Sequence, residues 1–212
     1  SKEAIHMAGY DVPGHTEFLA EKTGTKEVVM VLASDDLRVA LATIHIPLKD
    51  VKKSLQKDKL QRYLRILYRS LNVDFGIEKP KIGVLGLNPH AGDGGVIGNE
   101  EIELITPALQ ELSEEGILVD GPFAADGYFG SQLYKIYDAT LAMYHDQGLI
   151  PFKALTFGTG VNFTAGLPII RTSPDHGTAF NIAGENIADE QSFQSAYQMA
   201  VMMAKNRLEK TK

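Results

Sequence analysis

Hydrophobic and polar positions change period several times along the chain, and each change predicts an element. Glu27–Ala33 (EVVMVLA) is an apolar run headed by one acid, and Leu37–Ile46 (LRVALATIHI) is a second, rich in β-branched residues. Only Ser34-Asp35-Asp36 separates them, so they are predicted as an antiparallel hairpin of buried strands. From Val51 to Asn72 apolar residues recur at helical spacing (Val51, Leu55, Leu60, Tyr63, Leu64, Leu67, Leu71), which predicts one amphipathic helix or two. Lys81–Leu87 (KIGVLGL) is a continuous apolar run suited to a parallel strand. Shorter strands are predicted at Ile117–Gly121, Ala139–Tyr144 and Leu167–Arg171, and helices at Glu100–Glu115 and Asp189–Leu208. Asn88–Gly98, Asp126–Gly130 and Ser173–Gly184 read as loops. Near the start, Ser1–Ala8 reads as a helix stopped by Gly9, and His15-Thr16-Glu17 opens a second helix with Thr16 as its N-cap. Strands alternating with helices imply an α/β fold with a mixed sheet and helices on both faces.

Composition narrows the class. The 212 residues are enough for a real core, and 44% hydrophobic with 23% charged residues is ordinary for a globular chain. The formal charge of −6, with no long basic run, argues against a nucleic-acid partner. The densest basic stretch, Lys49–Lys59, is interrupted by Asp50, Gln56 and Asp58 and reads as a solvated helix face. There is no cysteine, so any metal must be held by nitrogen and oxygen ligands. No segment has the apolar length of a membrane span, and a cytoplasmic enzyme is the expected class.

Candidate chemistry gathers at strand ends. His45 closes LRVALATIHI, His90 follows KIGVLGL, and His145 follows ATLAMY in the run Tyr144-His145-Asp146-Gln147-Gly148. Ligands of α/β sheets bind at the carboxyl ends of strands, so these three imidazoles are candidates for one divalent ion. Their wide spacing matches no compact metal motif, and by spacing alone separate histidines are the favoured reading, because only the fold could bring distant residues together. The loop NPHAGDGGVIG matches neither a phosphate loop with its lysine nor a dinucleotide glycine fingerprint; its glycines suit close approach to a ligand. Lys153, Asn162 and Arg171 place a cation, an amide and a guanidinium after His145, a set suited to phosphate or carboxylate.

Five motifs in order, PGHTE (Pro13–Glu17), GLNPHAG (Gly86–Gly92), AMYHDQG (Ala142–Gly148), NFTAGLP (Asn162–Pro168) and RTSPDHGTA (Arg171–Ala179), make the chain resemble the 4-hydroxythreonine-4-phosphate dehydrogenase family of pyridoxal 5′-phosphate biosynthesis. The resemblance implies an isocitrate/isopropylmalate dehydrogenase-like fold with two lobes around a cleft, and a homodimer with the active site at the subunit interface. It implies a divalent metal (Zn, Mg, Co or Mn) on His45, His90 and His145, contributed by both subunits. It places substrate contacts at His15, Thr16, Lys153, Asn162 and Arg171, and catalytic roles at Lys153 and Asp146. HGTAFNIAGENIA (His176–Ala188) is similar to an adenosine-binding loop, which implies NAD or NADP contacts at His176, Gly177, Thr178, Ala179 and Asn181, with Asn181 where that loop often carries Asp.

The implied reaction is oxidation of 4-phosphooxy-L-threonine at C3, followed by loss of carbon dioxide to give 3-amino-2-oxopropyl phosphate. D-threonate or D-erythronate 4-phosphate is an alternative substrate. Family members carry a long segment ahead of the first helix seen here. The chain is therefore expected to be N-terminally truncated, with residues 1–145 forming a central metal-binding and dimerisation lobe and 146–212 the C-terminal part of a cofactor lobe. A non-catalytic metal-binding dimerisation fragment is the remaining reading.

Overall fold

The predicted hairpin lies inside a larger sheet. The computed structural model describes residues 2–12, 14–156, 158–175, 177 and 179–210, and all their side chains except those of Lys2, Glu3, Ile5 and Asn181. Strands β1 (Val29–Ala33) and β2 (Arg38–Leu41) pair antiparallel, with Val31 opposite Ala40. The others are β3 (Lys81–Leu85), β4 (Leu118–Phe123), β5 (Ala139–Ala142), β6 (Val161–Ala165) and β7 (Thr172–Pro174). Among the described residues they form one seven-stranded sheet in the order β4-β3-β5-β2-β1-β6-β7. The neighbours β4, β3, β5 and β2 run parallel, while β1, β6 and β7 each run antiparallel to the strand before them in that order.

Side-chain alternation along the strands splits the core into two layers. Val29, Val31, Ala40, Ile82, Val84, Leu141 and Phe163 face one layer; Leu32, Val39, Leu41, Leu85 and Ala142 face the other. Helices α3 (Leu48–Ser54), α4 (Lys57–Val73), α5 (Thr106–Glu114) and α8 (Gln191–Lys210) contribute buried residues to the first layer. Leu60, Leu64, Leu67 and Leu71 of α4 form its apolar stripe, each at most 2% exposed. Burial of each such leucine contributes about 1.5–3 kcal/mol. Helices α6 (Ala125–Gly130) and α7 (His145–Thr156) close the second layer with Tyr128, Leu149 and Phe152. Helices α1 (Lys2–Met7) and α2 (His15–Lys22) precede the sheet. The α/β class, the mixed sheet and helices on both faces are thus as expected.

Several elements differ from the sequence reading, which assigned no element to α7 or β6 and read most of β7 as loop. The second strand stops at Leu41, and residues 42–47 turn into α3. Ala42 and Thr43 are buried beneath neighbouring elements, which gives a strand-like composition without a ladder. Asp126–Gly130, rich in turn formers, lies in α6 because Tyr128 is buried against Phe123, Phe129 and Tyr137. Tertiary packing of an aromatic outweighs weak helix propensity there. Leu167–Arg171 is the turn between β6 and β7: Pro168 cannot donate to a ladder, and Gly166 ends β6 at φ +95. Finally, Gly14 caps α2 in extended conformation, so Thr16 lies inside the first turn.

Candidate functional site

Parallel pairing puts the carboxyl ends of β2, β5 and β3 side by side on one edge of the sheet. The turns leaving them carry His45, His145 and His90. The structure brings the first two together: the rings of His45 and His145 are 5.8 Å apart between centroids, at an interplanar angle of 42°. Asp146 Oδ1 lies 2.7 Å from His145 Nδ1. A carboxylate that accepts the Nδ1 proton leaves the Nε2 lone pair outward, the usual arrangement behind a metal-bound histidine. Two juxtaposed imidazoles, one so anchored, fit a borderline divalent ion. Among the described residues, no group of three His, Asp or Glu side chains is close enough to hold a metal, so His90 does not complete a cluster with them within one chain.

His90 sits in a loop with unusual backbone geometry. Residues 90–94 all have positive φ, with His90 at 53, Ala91 at 51 and Asp93 at 46. Non-glycine residues adopt this region at a cost, so the surroundings must hold it. The buried carboxylate of Glu101, inside a π-helical turn (Glu101–Ile105), accepts Leu87 N–H and Asn88 N–H at 2.7 Å each. Asn88 Nδ2 donates to Glu101 Oε2 at 2.9 Å and to Glu100 Oε2 at 2.7 Å. Gly92 closes against this post: a Cβ there would meet Glu101 Oε2 at 2.7 Å and Gly98 O at 2.8 Å.

Glu100 completes the brace. Its bonds with Lys52 and Asn88 hold its carboxyl well below the usual range, at about 2. A depressed carboxyl stabilises the fold fully above its unfolded value near 4.5, and that contribution is lost as pH falls toward 2. The expected result is that Glu100→Gln flattens the fall of melting temperature between pH 4.5 and 2, read by circular dichroism. Glu111 and Glu115 are lowered too, by Lys57 and Arg65, so the difference between variant and parent is the informative curve. Parallel curves through that window would refute the brace.

Two of the predicted anion-binding residues, Asn162 and Arg171, come together. Arg171 Nη1 donates to Asn162 Oδ1 at 3.3 Å and to Thr164 Oγ1 at 3.4 Å. Burial lowers the Arg171 guanidinium from its usual value, and the neighbouring Glu17 carboxylate opposes that. Glu17 belongs to α2, the helix that begins with His15 and Thr16. Lys153 stands apart. It lies on α7 two helical turns beyond His145, roughly 12 Å at the usual rise per residue, and pairs with Asp175 Oδ2 at 3.5 Å. Of the predicted cofactor loop, His176, Thr178 and the Asn181 side chain lie outside the described residues. Ala179 has φ 51 and leads into a short 3-10 turn, Phe180–Ile182. Glu17, Glu101 and Asp175 carried no role in the sequence reading. Only the motif membership of Glu17 and Asp175 pointed to them.

A cavity of about 1170 Å³ lies at the opposite end of the sheet, beside the β1–β2 turn, with Asp35, Arg38, Phe75, Tyr134, Thr159 and Met199 among its lining residues. None of the predicted site residues lines it. The strand-end turns, where the imidazoles and carboxylates meet, are the better candidate for chemistry. Among the described residues no helix is long and apolar enough to cross a membrane.

Comparison with known proteins identifies the family. A 4-hydroxythreonine-4-phosphate dehydrogenase of Bacteroides thetaiotaomicron is 50% identical over 208 residues, covering 98% of this chain and 57% of that protein. The crystal structure of a 4-hydroxythreonine-4-phosphate dehydrogenase from Klebsiella pneumoniae superposes with a TM-score of 0.87 at 43% identity, covering 96% of this chain and 62% of that one. A terephthalate 1,2-cis-dihydrodiol dehydrogenase from Burkholderia xenovorans superposes at 0.75 with 31% identity, covering 95% and 64%. The chain thus spans about three-fifths of the length of these relatives. The family model of the pyridoxal phosphate biosynthetic protein PdxA matches residues 1–200, and the chain belongs to that family.

Proposed function

We propose that this chain carries the metal and substrate groups of an NAD(P)-dependent 4-hydroxythreonine-4-phosphate dehydrogenase. The observation that carries the reading is the His45–His145 pair, anchored by Asp146, at adjacent strand ends of a chain half identical to an enzyme of that name. His45 and His145 would hold the ion together with His90 of a second copy. A divalent ion there would supply Lewis acidity to the C3 hydroxyl and a carboxylate oxygen of 4-phosphooxy-L-threonine. Arg171, with His15 and Thr16, would bind the phosphate, and Asn162 would orient it. Asp146, whose carboxylate lies behind His145, would be the base that receives the hydroxyl proton as the C3 hydride passes to the nicotinamide. The β-keto acid would then lose carbon dioxide to give 3-amino-2-oxopropyl phosphate, and the Lys153 ammonium would have to leave Asp175 to help stabilise the enolate oxygen. Residues 1–145 would form the metal-binding and dimerisation lobe and 146–212 part of the cofactor lobe, with the His176–Ala188 loop on the adenosine side of NAD or NADP, in a cytoplasmic homodimer. Exposed Ile46, Leu48, Val96, Ile97 and Ile150 flank the histidine turns, and an apolar rim of this kind suits a second copy.

Purified chain supplied with Zn²⁺ or Co²⁺, NAD⁺ or NADP⁺ and 4-phosphooxy-L-threonine is expected to form reduced nicotinamide. His90→Ala is expected to remove both turnover and bound metal. Unchanged metal content in that variant would sink the three-histidine site. D-threonate and D-erythronate 4-phosphate present the same phosphate with a hydroxyl in place of the amine, so kcat/KM on all three identifies the substrate. A terephthalate-type cis-dihydrodiol belongs in the same panel because of the relative from Burkholderia xenovorans. Metal binding without turnover on any of them would favour a non-catalytic fragment.

A further inference from the structure

The main-chain groups of Met143 lie where three strands part. The β3–β5 ladder has its last pair at Val84 and Leu141, and the β2–β5 ladder at Leu41 and Ala142. Beyond them only Ala42 N–H still donates to Ala142 C=O, at 2.9 Å. Met143 is fully buried, so its N–H and C=O both need partners. Each is taken by a side chain from a neighbouring turn. Gln147 Oε1 accepts Met143 N–H at 2.7 Å, and Thr43 Oγ1 donates to Met143 O at 2.7 Å. The other end of the same carboxamide, Gln147 Nε2, donates to Gly86 O at 2.7 Å, at the carboxyl end of β3.

We propose that Gln147 and Thr43 are positioning residues, whose side chains replace the missing ladder rungs and hold the turns bearing His45, His145 and His90 in register. Helix capping alone does not explain Gln147. A residue in the first turn of a helix commonly reaches back to an N–H just ahead of it, but a cap needs no bond to a different strand. The Gly86 bond joins the turn after β5 to the turn after β3, and the Thr43 bond joins it to the turn after β2. The chain of contacts continues from Gly86 to Leu87 and Asn88, whose N–H groups bond to Glu101 beside the His90 loop.

The proposal rests on the reading above that these histidines share one ion, and its test separates the two. The 212-residue chain and its variants Gln147→Leu, Thr43→Val and Thr43→Ser are titrated with Co²⁺, following calorimetric affinity and the visible absorption bands that report ligand geometry. Metal-free amide hydrogen exchange is recorded on the same samples. Gln147→Leu and Thr43→Val are expected to weaken Co²⁺ binding about 10–100-fold, the usual effect of removing a partner behind a ligand, and to change the bands. Thr43→Ser, which keeps the hydroxyl, is expected to bind as the parent does. In Gln147→Leu, exchange is expected to accelerate at Leu87 and Asn88, which Gln147 does not touch. A purely local cap would speed exchange only at Met143 and in the first turn of α7. Unchanged exchange at Leu87 and Asn88 would overturn the proposal, as would parent-like Co²⁺ affinity in Gln147→Leu with parent-like bands. A parent chain that binds no Co²⁺ would overturn the shared-ion reading instead, and the exchange result would still decide the positioning role.

Discussion

His145→Ala is expected to weaken Zn²⁺ or Co²⁺ binding by about 100-fold or more, because loss of a partner behind a ligand already costs about 10–100-fold. The substitution removes one of two imidazoles 5.8 Å apart and leaves Asp146 without its Nδ1 partner. His6→Ala, in the exposed first helix, is the matching control and is expected to bind as the parent does. A shared site adds a sharper expectation. Neither His90→Ala nor His145→Ala alone holds a complete ligand set, but one mixed dimer of the two variants regains one intact site. Mixing the inactive chains should therefore restore up to one high-affinity ion per mixed dimer, read by calorimetry, with turnover returning in parallel. Strong binding by His145→Ala alone, or no recovery on mixing, would exclude ligands shared between copies.

Phe152→Ala is expected to cost about 3–5 kcal/mol, as for other large aromatic truncations in a core. At roughly 2–4 °C per kcal/mol for a chain of this size, the melting temperature should drop by about 6–20 °C. The reason lies in how α7 is held. The helix contains Pro151, and it stays on the sheet through buried Leu149 and Phe152 and through Gly148. A Cβ on Gly148 would stand 2.8 Å from Val39 Cγ1 and 2.9 Å from Leu41 Cδ2, so the helix backbone rests directly on β2. Phe152 is fully buried in that contact. Since α7 begins with His145, its loosening should weaken metal binding as well as stability. A shift below about 2 °C in a thermal melt would mean that α7 is not anchored this way.

Much of the fold was legible because burial leaves a periodic trace. The leucine stripe of α4 and the continuous runs of β1 and β3 each read correctly, since one buried face imposes spacing 3.6 and two buried faces impose an apolar run. Where that link broke, the reading failed. Ala42 and Thr43 are as buried as strand residues yet lie in a turn, while Tyr128 turns a glycine-rich stretch into a helix by entering the core. Burial was legible at Ala42 and Thr43 but not at Tyr128, and in both places the element that supplied it was not.

The candidate site divides in the same way. Local sequence alone determined that three histidines follow apolar runs, that glycines surround His90, and that a guanidinium and an amide follow His145. It also determined the family, through motifs whose order is itself local information. Only the tertiary structure decided which strands are neighbours. Sheet order places β5 between β3 and β2, and thereby brings His145 to His45 across a separation of 100 residues that no spacing rule encodes. It likewise decided that Glu101 braces the His90 loop, that Arg171 meets Asn162 and Thr164, and that Gln147 and Thr43 take the main-chain groups of Met143. Those partners are set by strand pairing and by the need of buried polar groups for hydrogen bonds, and both conditions arise only once the chain has closed on itself.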